Sequence, residues 1–143
     1  MKTFVVSAVS IVLASILFCP MVMAAPLSMP SDLQMVQPDP SLPKELAAFW
    51  GKWEGSGYDS GVGSQIQFFL IVEKIAEEKA IVIPWHSVAG WGPRFEANVI
   101  KEHGKYKLWY RGRFGRNEIT SIGEELVFDA QPSFFTINLR RVP

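Results

Sequence analysis

The sequence predicts an all-β domain: a small antiparallel up-and-down barrel of seven to eight strands, preceded by a short helical turn. Three observations lead there. Beyond Gly51, apolar and polar residues alternate in short runs, and turn residues separate the runs at roughly the 8–12-residue spacing of antiparallel sandwiches and barrels. No segment of that stretch keeps a helical apolar period for several turns, which excludes βαβ architectures. The 143 residues suffice for one core and not for two, and five Trp, ten Phe and three Tyr exclude a disordered chain over most of the length.

The elements follow in order. Met1-Lys2 opens with a positive charge, an apolar run extends from Phe4 to Phe18, and Val22-Met23-Ala24 presents small or β-branched residues before a cut after Ala24. Residues 1–24 therefore read as a secretory signal peptide. The run is shorter than the roughly 20 residues that span a bilayer, and no basic stop-transfer cluster follows it. The only cysteine, Cys19, falls inside this segment and lacks the small residues that a lipidation signal needs before it. The expected mature chain has no disulfide and no thiol chemistry, and its expected location is secreted or periplasmic.

Residues 25–43 form a proline-rich linker, with prolines at 26, 30, 38, 40 and 43 holding it extended. Residues 44–143 form the barrel domain. It starts with Pro43 to Trp50, where Leu46, Phe49 and Trp50 share one helical face. In the first strand Trp53, Gly55 and Gly57 share a face, and in the second Ile66, Phe68, Leu70 and Val72 do. Phe69 and Ile71 break the polar side of that second strand. The third, Ala80 to Val88, sets Ile81, Ile83 and Trp85 against Val82, Pro84 and His86; Pro84 has no N–H to donate and marks an edge or a bulge. Phe95, Ala97 and Val99 define the fourth, and Tyr106, Leu108 and Tyr110 the fifth. Two short strands flank Gly123, and the last sets Phe135, Ile137, Leu139 and Arg141 on one face. One apolar face per strand is what closing a barrel requires.

The opening of the first strand, Phe49-Trp50-Gly51-Lys52-Trp53-Glu54-Gly55, resembles the Gly-x-Trp opening of the calycins, the superfamily of lipocalins and fatty-acid-binding proteins. The resemblance covers residues 45–143. It implies that Gly51 and Trp53 belong to the closed end of the barrel, and that a basic residue of the last strand packs over the Trp. Arg141, in phase with the inward set of that strand, is the candidate partner. Two departures modify what the resemblance implies. The strands are short, so the lumen should be shallow or filled by side chains. The Arg-x-Tyr carboxylate clamp of many fatty-acid-binding proteins is missing from Arg140-Arg141-Val142-Pro143.

Charge and motifs then limit the function. The 14 basic and 14 acidic residues balance, and only Lys2 among them lies in the leader, so no basic footprint for nucleic acid exists. No Gly-x-Ser-x-Gly elbow occurs. The two histidines, His86 and His103, are separated and have no cysteine to join them in a metal site, and His86, Glu54, Tyr58 and Glu96 have no spacing that ties them into a catalytic group. Gly55 to Gly63 lacks the Gly-Lys-Ser/Thr of a phosphate loop and reads as a hairpin turn. The expectation is a non-catalytic protein without metal or cofactor.

Trp91, held between Gly90 and Gly92, reads either as an exposed binding group or as a cap on one barrel end. Arg111, Arg113 and Arg116 form the one dense basic cluster, suited to an anionic head group or a sugar acid or else simply solvated. Together with the lumen-facing Phe68 and Phe95, the residues Trp91, Arg111 and Arg113 are the candidate ligand contacts. The leading expectation is an exported barrel that binds a small apolar or amphipathic ligand. The alternative is a protein-interaction module, an exported inhibitor or envelope accessory protein, that works through its rim loops. A small hydrophobic ligand and an envelope protein are the candidate partners, with no nucleic acid and no membrane span in the mature form.

Overall fold

A computed structural model describes residues 27–113, 115–131 and 135–143. The expected signal peptide, Cys19 included, lies outside the described residues. One four-residue helix, α1 (Lys44–Ala47), precedes β1 (Gly51–Asp59), β2 (Ser64–Ile75), β3 (Lys79–His86), the two-residue β4 (Gly90–Trp91), β5 (Phe95–Glu102), β6 (Lys105–Arg111), β7 (Arg116–Ile122), β8 (Glu125–Ala130) and β9 (Phe135–Val142). Successive strands pair antiparallel, β1 pairs with β9, and the circuit β1-β2-β3-β5-β6-β7-β8-β9 closes into an eight-stranded barrel with β4 as an extra strand. The all-β, up-and-down barrel expected from the alternation is what the chain forms.

The alternation decides which side chains fill the interior. Trp53, Phe68, Leu70, Val82, Ala97, Leu108, Tyr110, Ile119, Leu126, Phe128, Ile137 and Leu139 all lie in one buried cluster inside the barrel. A β-strand sends alternate residues to opposite faces, so each strand supplies every second residue to this core. Where β1 meets β9, a side chain on Gly55 would collide with the Asn138 carbonyl and with Ile137. Glycine there lets β9 fold its own side chains into the space.

β3 is shared unequally. Its first half, Lys79 to Val82, pairs with β5, whereas Trp85 and His86 pair with β4. Pro84 falls between the two partners, where its missing N–H breaks no ladder, and its carbonyl accepts from the Gly92 N–H at 2.8 Å. The edge or bulge inferred from this proline is that change of partner.

β2 buries both faces. Phe69, Ile71 and Ile83 form a second cluster outside the barrel, covered by Leu27, Leu33 and Met35 of the N-terminal segment together with Trp85, Trp91 and Val142. The described part of the proline-rich segment forms no strand or helix, turns at 31–32 and 40–41, and is strapped to the barrel wall. Val36 N–H donates to the Glu73 carbonyl at 2.9 Å, at the point where a bulge between Val72 and Lys74 shifts the β2–β3 register. The strap thereby serves a backbone carbonyl that the bulge takes out of the regular ladder.

Candidate functional site

The strands give the barrel two unlike ends. At the end holding α1, Trp53 is 2% exposed, and its Nε1–H donates to the Phe49 carbonyl at 2.9 Å. Trp53 and Arg141 are register partners on β1 and β9, and the guanidinium lies 4.3 Å from the centre of the indole ring. Its two terminal nitrogens donate to the carbonyls of Trp50 and Ala48, each at 2.6 Å. Those carbonyls belong to the chain leaving α1, so one arginine closes the floor and stacks on the tryptophan beneath it. Gly51, at φ +126°, lies directly below: a Cβ there would stand 2.5 Å from Arg141 Nη1. The Gly-x-Trp spacing and the arginine are thus one packed unit.

The opposite end carries the hairpin loops β1–β2 and β6–β7 and the β3–β4 turn. Beneath it the lumen is filled. Phe68 packs at a tilt against Phe128 with ring centres 4.4 Å apart, Phe128 stacks on Phe135 at 5.6 Å, and Phe95 on Tyr110 at 4.6 Å. Phe68 is 4% exposed, so this expected ligand contact is a core residue instead, its faces taken by neighbouring rings. Phe95 and Phe135 are half-buried at this mouth of the barrel, packed against the core. Two open hollows, of about 430 and 390 Å³, lie along the strap on the outer surface.

His86 and Asp59 meet at this mouth. Asp59 is in phase with Trp53, Gly55 and Gly57 and faces inward, and His86 lies opposite the inward-facing Phe68. His86 Nε2 is 3.0 Å from Asp59 Oδ2, and the Val88 N–H donates to His86 Nδ1 at 3.1 Å. That network assigns the ring proton to Nε2 and occupies Nδ1 as an acceptor. Asp59 in turn accepts from the Gly61 N–H at 2.7 Å. Both ring nitrogens are engaged, so the pair clamps the β1–β2 hairpin to the β3–β4 turn. Glu54, Tyr58 and Glu96 point away from this pair: all three are exposed, and Glu96 pairs with Lys79 at 2.7 Å. The sequence reading missed Asp59 because it counted the residue with the turn; its phase with Trp53 was the available signal. His103 sits exposed at φ 50° in the tight β5–β6 turn with Gly104. Among the described residues no three His, Cys, Asp or Glu are grouped to hold a metal ion.

Trp91 neither stands free nor caps an end. It packs edge-on to Phe69 at 6.0 Å on the outer wall, lies 6.5 Å from Trp85, and donates Nε1–H to the Ser28 carbonyl at 2.9 Å. The reason is the strap: Leu27, Leu33 and Met35 create an apolar covering that no residue near Trp91 in sequence foretells. The same wall holds Glu73, 5% exposed, which accepts from Arg94 Nε at 2.9 Å and Nη2 at 3.0 Å and from the Gln34 N–H at 2.6 Å. Arg94 also donates to the Asp32 carboxylate and carbonyl of the strap, at 2.6 and 2.7 Å. These hydrogen bonds from Arg94 hold the Glu73 carboxyl below the usual carboxylate range and push the guanidinium further up.

The arginine cluster occupies the β6–β7 hairpin. Arg111 is exposed and stands directly across the ladder from Arg116; Arg116 pairs with Glu118 at 2.8 Å and lies 4.6 Å over the Trp109 ring. Arg113 is exposed in the loop between them. The mouth thus gathers Phe95, Arg111 and Arg113 at one end of the barrel, while Phe68 and Trp91 are spent on packing. Comparison with known proteins adds no constraint to this geometry: no protein-family model, no curated protein and no solved structure matches the chain.

Proposed function

We propose that this protein is an exported, calycin-like, non-catalytic barrel that binds a small apolar or amphipathic molecule across its mouth. The observation that carries the reading is the pair of aromatic rings there: Phe95 and Phe135 are half-buried at the one end of the barrel that no helix covers. Partly exposed aromatic rings lose water on contact with an apolar ligand, which is the principal gain available to a site without an enclosed cavity. The calycin relationship is supported by the unit of Gly51, Trp53 and Arg141, and the non-catalytic reading by the engagement of both His86 nitrogens.

The test needs a reporter at the mouth. Trp50 and Trp53 lie at the closed end, and Trp85, Trp91 and Trp109 on outer walls, so intrinsic tryptophan emission is the wrong probe. Binding of 1-anilinonaphthalene-8-sulfonate, displaced by a panel of fatty acids and sterols, reads the site directly. We expect saturable binding in the wild type and an affinity lower by roughly tenfold in Phe135→Ala, as one buried aromatic contact is lost. No saturable binding, or the same affinity in Phe135→Ala and Phe95→Ser, refutes the mouth reading.

A further inference from the structure

We propose that the open end of the barrel docks on an anionic membrane surface; the inference rests on the open end as the working face and names its partner. Two independent features converge on that end.

The first is the excess of positive charge in the open-end loops of a chain with no net charge. The closed-end turns 75–79, 102–105 and 122–125 mix Glu77, Glu78, Glu102, Glu124 and Glu125 with Lys79 and Lys105, and Lys44, Lys52, Arg140 and Arg141 lie at the same end. The open-end loops 59–64, 86–92 and 111–116 contain one carboxylate, Asp59, which is buried against His86, and three arginines. Arg111 and Arg116 face each other across the ladder, an arrangement of like charges that costs stability unless an anion bridges it. Glu118 engages Arg116, and among the described residues Arg111 makes no ion pair.

The second feature is apolar. The end of β1 exposes Tyr58 at 56%, and the neighbouring open-end loops expose Val62 at 46% and Val88 at 64%. They are not loose tips, because the Asp59–His86 pair and the Ser87 N–H bond to the Gln67 carbonyl, 3.0 Å, hold the two loops side by side. Apolar groups at the rim with guanidinium groups on the other side of the same mouth match an anionic bilayer. The valines and the tyrosine reach the interface, and the arginines meet headgroup phosphates bidentately.

Co-sedimentation of the full-length chain with phosphatidylcholine vesicles, with and without phosphatidylglycerol, tests this at low and high salt. The readout is the ratio of binding to the two vesicle types, because any partition by the apolar stretch 3–25 contributes to both. A ratio well above unity that falls with salt is expected in the wild type. Arg111→Gln with Arg113→Gln should lower it by roughly tenfold or more, at about fivefold per surface arginine. Val62→Asp with Val88→Asp should lower it as well, and Lys105→Gln at the closed end should leave it unchanged. Matched thermal melts establish that the variants fold, and the salt arm needs no variant. A ratio of unity for the wild type, or equal loss in Lys105→Gln, overturns the proposal. Saturable naphthalene-probe binding together with a ratio of unity removes the membrane inference alone; loss of both removes the mouth reading too.

Discussion

The inside and the outside of β2 make an instructive pair. Both faces of this strand are apolar over Phe68 to Val72, and both are buried, but they are closed by different means. The inner face is covered by seven other strands whose hydrogen-bonded circuit cannot open at one place without breaking a ladder. The outer face is covered by a strap of irregular chain held by the Val36 bond to Glu73, one indole bond and the Glu73–Arg94–Asp32 group. The same hydrophobic gain per area applies to each. What differs is how many independent contacts must fail together, so the outer cluster is expected to open before the barrel.

The sharpest way to break the inner side is Trp53→Ala. Emptying that buried site should destabilise the barrel by about 3–5 kcal/mol, lowering the denaturant midpoint with all strands melting together. If only the region around the strap loosened, the contrast would be wrong.

On the outer side, Glu73→Gln removes the negative charge and one of the two oxygens that accept three hydrogen bonds, two of them from a guanidinium, and sets an amide NH2 against Arg94. A loss of about 1.5–3 kcal/mol is expected, as for hydrogen bonds to charged groups. Hydrogen exchange should locate it: protection falls in residues 33–36 while the barrel strands keep theirs.

Acid should do the same to the wild type. The Glu73 carboxyl is held below its ordinary value in the folded chain by Arg94. Its contribution is therefore complete above the unfolded carboxylate pKa of about 4.3 and is lost as the pH falls through the lower folded value. Exchange or limited proteolysis of the strap, followed downward in pH, should show release before the barrel melts. Glu73→Gln should lack that step; an identical acid profile in the variant would remove Glu73 as the cause.

Arg141→Ala tests the closed end more gently, with an expected loss of about 1–2 kcal/mol from the cation–π contact and its packing. The double variant with Trp53→Ala should lose less than the two single losses together, because the residues share one contact. Strict additivity in denaturant melts contradicts a coupled pair.

The smallest effect belongs to Trp91→Phe, which keeps an aromatic ring against Phe69 and deletes the bond to Ser28. About 0.5–1 kcal/mol is expected for that bond, visible as faster exchange in the strap and not as a shift of the barrel midpoint.

Most of the barrel was legible in the sequence, and the reason is geometric. Period-2 alternation states which residues share a face, so the two faces of each strand, the phase of Arg141 with Phe135, Ile137 and Leu139, and the anomaly at Pro84 could be read from local order alone, though not which face of β3 is inward. Of the candidate site, the arginine hairpin and Phe95 were legible by type and position. The roles of Phe68 and Trp91 were not, because alternation says which way a side chain points and not what covers it.

Phe69 and Ile71 signalled in sequence that something must lie over the outer face of β2, yet nothing local identified the cover. Tertiary structure alone decided that residues 27–36 provide it, that Glu73 at a bulge anchors it through Arg94, and that Asp59 and His86, on different strands, meet at the mouth. Each of these contacts joins residues more than twenty positions apart. Such pairings depend on the closed circuit of strands, which sets the neighbours of every face only when the barrel is complete.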